Sequence, residues 1–204
     1  MVASQIAARG ISDPRVIAAM EAVPRERFVP PESAPGAYED RALAIGLGQT
    51  ISQPYIVALM SESLSVEPGH RVLEIGTGTG YQTAILATLA RQVYSIERIP
   101  TLSLSAQDRL KSLDIANVAF RIGDGTQGWP EEAPFERIIV TAAAPKIIPA
   151  LFDQLTEGGR MVIPIGDEVS QRLIAVARVG GRPVEYPSIA VRFVKLVGEG
   201  GFAE

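Results

Sequence analysis

The sequence predicts an α/β fold: a mainly parallel sheet with helices on both faces and an antiparallel strand pair at its C-terminal end. Three observations predict it. Apolar, strand-like runs alternate with helix-length segments from residue 71 to residue 165, the pattern of βαβ units and a parallel sheet. The apolar run through Val72, Leu73 and Ile75 stops at Gly76, Gly78 and Gly80 and passes straight into helical residues from Tyr81 to Leu86. Beyond residue 170 two strands, 172–179 and 189–197, follow each other with no helix between them, which is natural only for an antiparallel pair.

The 204 residues suit a single domain, read as a helical arm (1–65) for substrate, a cofactor-binding core (66–165) and a C-terminal strand pair (166–204). A content of 47% hydrophobic and 21% charged residues is that of a globular chain with a sizeable core. There is no cysteine, which excludes disulfides, thiolate metal sites and cysteine nucleophiles, and a lone histidine, His70, which excludes a multi-histidine metal site. A net charge of −4 argues against a general nucleic-acid surface. The N-terminus lacks a basic head with a long apolar run, and no apolar stretch has membrane-spanning length, so a cytoplasmic protein away from membranes is expected.

In chain order, Asp13-Pro14 reads as an N-cap with proline at the first helical position, and Val16, Ile17, Met20 and Val23 recur at helical spacing. Pro24 ends that helix, and Pro30, Pro31 and Pro35 mark an irregular stretch. Residues 42–45 read as a short strand, followed by a turn-rich 46–50. Ser52-Gln53-Pro54 starts a helix carried by Ile56, Leu59, Met60 and Leu64. After Pro68-Gly69 come strand 71–76, the glycine turn, strand 92–96, helix 100–113, strand 118–122, strand 135–141, helix 149–155, a Gly158-Gly159 turn and strand 160–165. His70 and Trp129 read as structural.

A strand that turns through glycines into a helix brings bare backbone N–H groups close to a ligand. The spacing is G-x-G-x-G; the dinucleotide fingerprint G-x-G-x-x-G would require a glycine where Tyr81 stands, so a nucleotide-like cofactor fits without a pyrophosphate. Ligands of open α/β sheets sit beyond the carboxyl ends of the strands. Glu97, 21 residues after Gly76, ends the next strand, where a carboxylate can accept from both ribose hydroxyls or simply be solvated beside Arg98. Gly123-Asp124-Gly125 ends the strand after that; Asp124 can accept from an adenine amino group, or the three residues can be an ordinary turn.

The segment 72–82, with Glu74 inside its strand, is similar to motif I of the S-adenosylmethionine-dependent methyltransferases. Several separated segments make the resemblance narrower: 27–30 (Arg27 to Pro30), 48–54 (Gly48 to Pro54), 123–125 with Gly128-Trp129, 139–145 (Ile139 to Pro145) and 191–194 (Val191 to Val194). In this order, over nearly the whole chain, the sequence resembles the protein-L-isoaspartate O-methyltransferase family. It departs from that pattern at Ala44 and Lys195, where proline is expected, and at Leu47, where a polar residue is expected.

The resemblance implies a Rossmann-like class I methyltransferase fold with a seven-stranded sheet, S-adenosylmethionine as methyl donor (leaving S-adenosylhomocysteine), no metal and a monomeric chain. The implied substrate is the free α-carboxylate of L-isoaspartyl residues in peptides and damaged proteins; its methyl ester collapses to a succinimide that returns some normal aspartate. The expected cofactor residues are Glu74, Gly76, Thr77, Gly78, Gly80, Glu97, Asp124 and Gly125, with Thr50, which by its polar side chain can touch cofactor or substrate or can simply be a turn residue. Ser52 is the implied catalytic and substrate-positioning residue, although its sequence position serves equally as the cap of the helix at Pro54. Ala143, Val191, Arg192 and Phe193 are the further substrate-side residues. From the residues alone, Ala142 to Ala144 read as either a small-residue wall or close packing, and Arg192 as either a steering cation or a solvated strand residue. Three other readings compete: a methyltransferase for a different group, a cofactor-binding module without catalysis, and a nicotinamide oxidoreductase, the last disfavoured by Tyr81 and the missing acid/base pair.

Overall fold

The computed structural model describes residues 1–203, and the side chains of all of these except residues 187 and 188. The arm carries α1 (Pro14–Ala22), β1 (Leu43–Gly46), β2 (Gln49–Ile51) and α2 (Pro54–Leu64). The core follows as β3 (Arg71–Ile75), α3 (Tyr81–Leu89), β4 (Gln92–Glu97), α4 (Pro100–Lys111), β5 (Val118–Ile122) and β6 (Phe135–Val140). It continues with α5 (Pro149–Asp153), β7 (Leu155–Gly166), β8 (Gln171–Val179) and β9 (Arg182–Val191).

Seven strands form one sheet in the order β5-β4-β3-β6-β7-β8-β9. Pairings from β5 to β7 are parallel; β8 runs antiparallel to both β7 and β9. The chain steps outward from β3 to β5 and then returns to β6 on the other side of β3, so the strand order reverses between β3 and β6. A crevice opens at such a reversal because the connections leave on opposite sides.

Strand alternation sets the layers. Val72, Val93, Ile139 and Val162 face the helices α1 to α4, in a core with Phe28, Met60, Tyr81, Ile85 and Leu110. Their neighbours Leu73, Ile96, Ile138 and Met161 point the other way, against Leu151 and Phe152 of α5 and Trp129. Trp129 meets Tyr94 edge to face at 5.6 Å, a packing role as expected. His70 is structural too: its Nδ1 accepts the Glu67 N–H at 2.9 Å and closes the turn before β3. At α1, Asp13 accepts the Arg15 N–H at 2.8 Å and Pro14 fills the first helical position.

Four expectations are corrected. Residues 46–50 are more than a turn: Gln49–Ile51 is a strand that pairs with β1 (Leu43 with Ile51, Ala44 with Thr50) as a separate two-stranded hairpin. The glycines at its tip interrupt any readable alternation. The strand expected at 160–165 begins at Leu155 and runs through Gly158-Gly159, its register with β6 shifting between Phe135 and Arg137 to absorb the extra residues. The helix before it correspondingly stops at Asp153. The strand expected at 189–197 is instead 182–191: Gly180 and Gly181, both at positive φ (58° and 73°), make a two-residue hairpin turn, and the chain leaves the sheet after Val191.

Candidate active site

The glycine turn closes the C-terminal end of β3 at the strand-order reversal. Gly76 has φ +96°, and a Cβ there would lie 2.3 Å from Thr141 Oγ1 at the end of β6. The Thr141 hydroxyl lies 2.7 Å from the Gly76 carbonyl and 3.0 Å from that of Ile75, and so locks the turn to β6. Gly125, at the end of the loop after β5, approaches as closely from the other side: a Cβ on it would meet Ile75 Cγ2 at 2.4 Å.

The parallel register pairs Ile75 with Ile96, which brings Glu97 beside the glycine turn. Its carboxylate accepts the Gly78 N–H at 2.9 Å and the Ile99 N–H at 3.0 Å, and the residue is 6% exposed. Two backbone donors thus hold an anion rigid at the rim of a cavity of about 340 Å³. The cavity is lined by Gly76, Thr77, Gly78, Glu97, Gly125 and Thr141, with Ile75, Ile96 and Ile99 as apolar wall and residues 48–52 and 194–197 over it. A fixed carboxylate for a vicinal diol, glycine backbone at close approach and an apolar wall fit an adenosine-bearing sulfonium.

A second cavity, about 390 Å³, adjoins the first. Its wall is formed by Ala42, Thr50, Ser52, Gln53 and Ile56 on one side and residues 190–193 on the other. Thr50 and Ser52 line both cavities and mark their junction. Ser52 does not cap α2: the cap position belongs to Gln53, which makes no side-chain cap bond. Among the described residues the Ser52 hydroxyl has no hydrogen-bond partner, so it is uncommitted at the junction. Val191, Arg192 and Phe193 line the second cavity, with Arg192 exposed and without an ion-pair partner among the described residues.

Four expected site residues lie outside both cavities. Glu74 is fully buried beneath the turn; strand alternation turns it toward α3, where its Oε2 accepts the Thr83 and Ser95 hydroxyls, each at 2.6 Å. Ser95 in turn lies 2.6 Å from the Thr77 hydroxyl, so Glu74 reaches the cavity only through Ser95 and Thr77. Burial pushes the Glu74 carboxyl up to about 8, against those hydrogen bonds, and its Oε1 has no partner among the described residues. Gly80 sits at the N-cap of α3, behind the turn. Asp124 does not line the cavity: Oδ1 accepts the Thr126 N–H and hydroxyl, both at 2.8 Å, and Oδ2 accepts the Glu199 N–H at 2.8 Å. Burial works against the Asp124 charge, but the Glu199 and Thr126 hydrogen bonds outweigh it and hold its carboxyl below the usual range. Ala143 is fully buried, its N–H bonded to the Val194 carbonyl at 2.8 Å and its C=O to the Leu196 N–H at 2.7 Å; it anchors the crossing segment and offers no wall.

The departures at Ala44, Leu47 and Lys195 are exposed and none lines the second cavity. Leu47 is the hairpin tip, 62% exposed, and Lys195 lines the first cavity while its Nζ pairs with Glu168 at 2.5 Å. Thr141 was missed, although the rule that ligands lie at strand carboxyl ends points at it. Gln53 and Ile56 of the second cavity carried no local signal.

A seven-stranded, mainly parallel sheet with a glycine turn at the reversal and an acid ending the neighbouring strand defines a class I methyltransferase fold. The sequence model of the family described as protein-L-isoaspartate(D-aspartate) O-methyltransferase (PCMT) matches residues 1–201, and the chain belongs to that family. It is 56% identical over 189 residues to the protein-L-isoaspartate O-methyltransferase of Vibrio cholerae, covering 93% of this chain and 90% of that one. A solved structure described as a protein-L-isoaspartate O-methyltransferase superposes with a TM-score of 0.86 at 32% identity, over 96% of this chain and 64% of that longer one. Another, from Plasmodium falciparum and solved with S-adenosyl-L-homocysteine, gives a TM-score of 0.84 at 27% identity over 96% of each chain.

Proposed function

We propose that the two cavities are the two halves of one transfer site, with the methyl donor in the glycine-lined cavity, the isoaspartyl peptide in its neighbour, and the reaction at the Thr50–Ser52 junction. The protein is a methyltransferase that uses S-adenosylmethionine and acts on L-isoaspartyl residues. The observation that carries the site assignment is that Thr50 and Ser52 line both cavities while the Ser52 hydroxyl remains free to bind a ligand.

Bound in the first cavity, S-adenosylmethionine supplies a methyl group made electrophilic by its sulfonium. Glu97 accepts from the ribose hydroxyls with lone pairs that the Gly78 and Ile99 N–H groups leave available. Thr77, Gly76 and Gly125 let backbone approach the donor. Glu74 holds Thr77 from below by way of Ser95, and Asp124 holds the loop that carries Gly125.

The nucleophile is a carboxylate with a pKa of about 4, already ionised at neutral pH. No general base is required for it to attack. An anion and a cation become two neutral groups, so charge is lost in the transition state. A tight ion pair to the carboxylate would stabilise the ground state more than the transition state. A neutral hydroxyl avoids that penalty. Ser52 donates one hydrogen bond, orients the attacking oxygen and adds no charge. Arg192, at the outer cavity and exposed, draws the carboxylate in from solvent without clamping it. Val191 and Phe193 flank the peptide. The released ester closes to a succinimide without the protein, and hydrolysis returns part of it as aspartate, which makes the reaction a repair.

The same reading divides the chain into a substrate arm (1–65), a cofactor core (66–165) and a C-terminal strand pair (166–204), and takes it as a cytoplasmic monomer that needs no metal, nucleic acid or membrane. No helix among the described residues is long and apolar enough to cross a membrane.

The test is methyl transfer from labelled S-adenosylmethionine to two matched peptides, one isoaspartyl and one aspartyl. Base-labile label on the isoaspartyl peptide alone is expected. Equal labelling of both, or of neither while the cofactor binds, overturns the substrate assignment.

A further inference from the structure

Arg25 is fully buried, and no carboxylate bonds to it among the described residues. Its Nε donates to the Ala37 carbonyl at 2.7 Å, and its Nη2 to the Ser52 carbonyl at 2.7 Å. The guanidinium carbon lies 4.8 Å from the centre of the Tyr81 ring, and Nη1 is buried without a hydrogen-bond partner among the described residues. Burying an unpaired cation is costly, and burial lowers its pKa accordingly. For packing alone an apolar side chain of similar volume would serve as well or better. A guanidinium differs from such a side chain in one respect: it directs rigid, coplanar donors at acceptors on separate segments.

Two of its contacts, Ser52 and Tyr81, line the transfer site, and the third, Ala37, lies in the core of the arm. Ala37 follows the 3-10 turn Pro31–Gly36 of the arm. Tyr81 is the first residue of α3 after the glycine turn and lines the first cavity. Ser52 lies between β2 and α2, outside both, and its hydroxyl makes no bond to the protein among the described residues. The Arg25 bond to its carbonyl is the one hydrogen bond that Ser52 makes among the described residues.

We infer that Arg25 is a positioning residue for methyl transfer, holding Ser52 at the junction of the two cavities through its backbone carbonyl while lying over the Tyr81 ring. This rests on the assignment of Ser52 made above.

The experiment is a double-mutant cycle with Arg25→Lys and Ser52→Ala, read as kcat at saturating isoaspartyl peptide, with calorimetry of S-adenosylhomocysteine on each variant. Arg25→Lys is expected to lower kcat about 10-fold or more alone but less than about 2-fold in the Ser52→Ala background, because both changes remove one effect. Affinity for S-adenosylhomocysteine is expected to stay within about 3-fold. Equal losses in both backgrounds overturn the inference and leave the assignment of Ser52 standing. An unchanged kcat for Ser52→Ala alone overturns both. A second measurement uses the unaltered protein and so does not depend on the variants folding. With arginine ¹⁵N labelling, the Arg25 guanidinium resonances should shift when isoaspartyl peptide joins the S-adenosylhomocysteine complex and stay put with the aspartyl peptide; no shift with either overturns the inference.

Discussion

The Gly78 N–H donates to the Glu97 carboxylate at 2.9 Å, joining the middle of the glycine turn to the acid that ends the neighbouring strand. The bond follows from register: with Ile75 opposite Ile96, the turn that leaves β3 passes beside Glu97, the last residue of β4. It also orients the carboxylate before any ligand arrives, which reduces the ordering cost of binding.

Replacing Glu97 should therefore be felt mainly in cofactor affinity. Hydrogen bonds to a charged group contribute about 1.5–3 kcal/mol, so Glu97→Ala is expected to weaken S-adenosylhomocysteine binding by about 10- to 100-fold in calorimetry. An affinity equal to wild type would remove Glu97 from the ribose site.

Ser52→Ala should show the opposite pattern. Losing one hydrogen bond from a neutral donor to the reacting carboxylate is expected to lower kcat by about 10-fold, with cofactor affinity within about 2-fold of wild type. Steady-state kinetics beside calorimetry separates the two; a loss confined to cofactor binding would contradict the junction assignment.

Glu74 gives the fold a pH dependence of definite sign. Burial raises its carboxyl from 4.5 to about 8, so the folded protein keeps a proton that the unfolded chain has already released. Unfolding releases that proton, and the favourable contribution, complete below about 4.5, is lost as pH rises toward about 8. Thermal melts from pH 5 to 9 should show Tm falling across this window and levelling above it, and Glu74→Gln should flatten most of the fall. The same slope in the variant would assign the dependence to another group.

Gly125 tests close approach without backbone strain. The Cβ of Gly125→Ala would sit 2.4 Å from Ile75 Cγ2, so a loss of about 1–3 kcal/mol is expected by chemical denaturation. Ile75→Ala removes the clashing methyl; it leaves a cavity on its own, but the double variant should lose less than the sum of the two single losses. Strict additivity would mean that the two residues are not in contact.

What was legible in the sequence was local or repeated. The strand–glycine–helix transition, the acid 21 residues beyond Gly76 and the helical spacing from Val16 to Met20 each lie within one or two elements, where period and turn chemistry speak directly. The direction of Glu74 was legible in principle too, since alternation sends it to the same face as Val72 and away from the ligand. The hairpin was hidden because three-residue strands around glycines have no period to read. The second anchor of Asp124 was hidden because the Glu199 N–H lies over seventy residues away and carries no signal of its own, whereas its bonds to Thr126 are a local turn. Arg25 and Ser52 were unconnected for the same reason: only the folded arm brings residues 27 positions apart into contact.

The β1–β2 hairpin, a sheet apart from the main one, borders both cavities through Thr50. Whatever ordering of the hairpin one ligand brings about has already been accomplished when the other arrives. The two ligands are then heterotropic effectors of each other, and thermodynamic reciprocity makes the effect symmetrical: the factor by which S-adenosylhomocysteine tightens an isoaspartyl peptide must equal the factor by which the peptide tightens S-adenosylhomocysteine. Calorimetric titrations in both orders should return a single coupling constant greater than one, shrinking toward unity when Thr50→Gly loosens the shared wall.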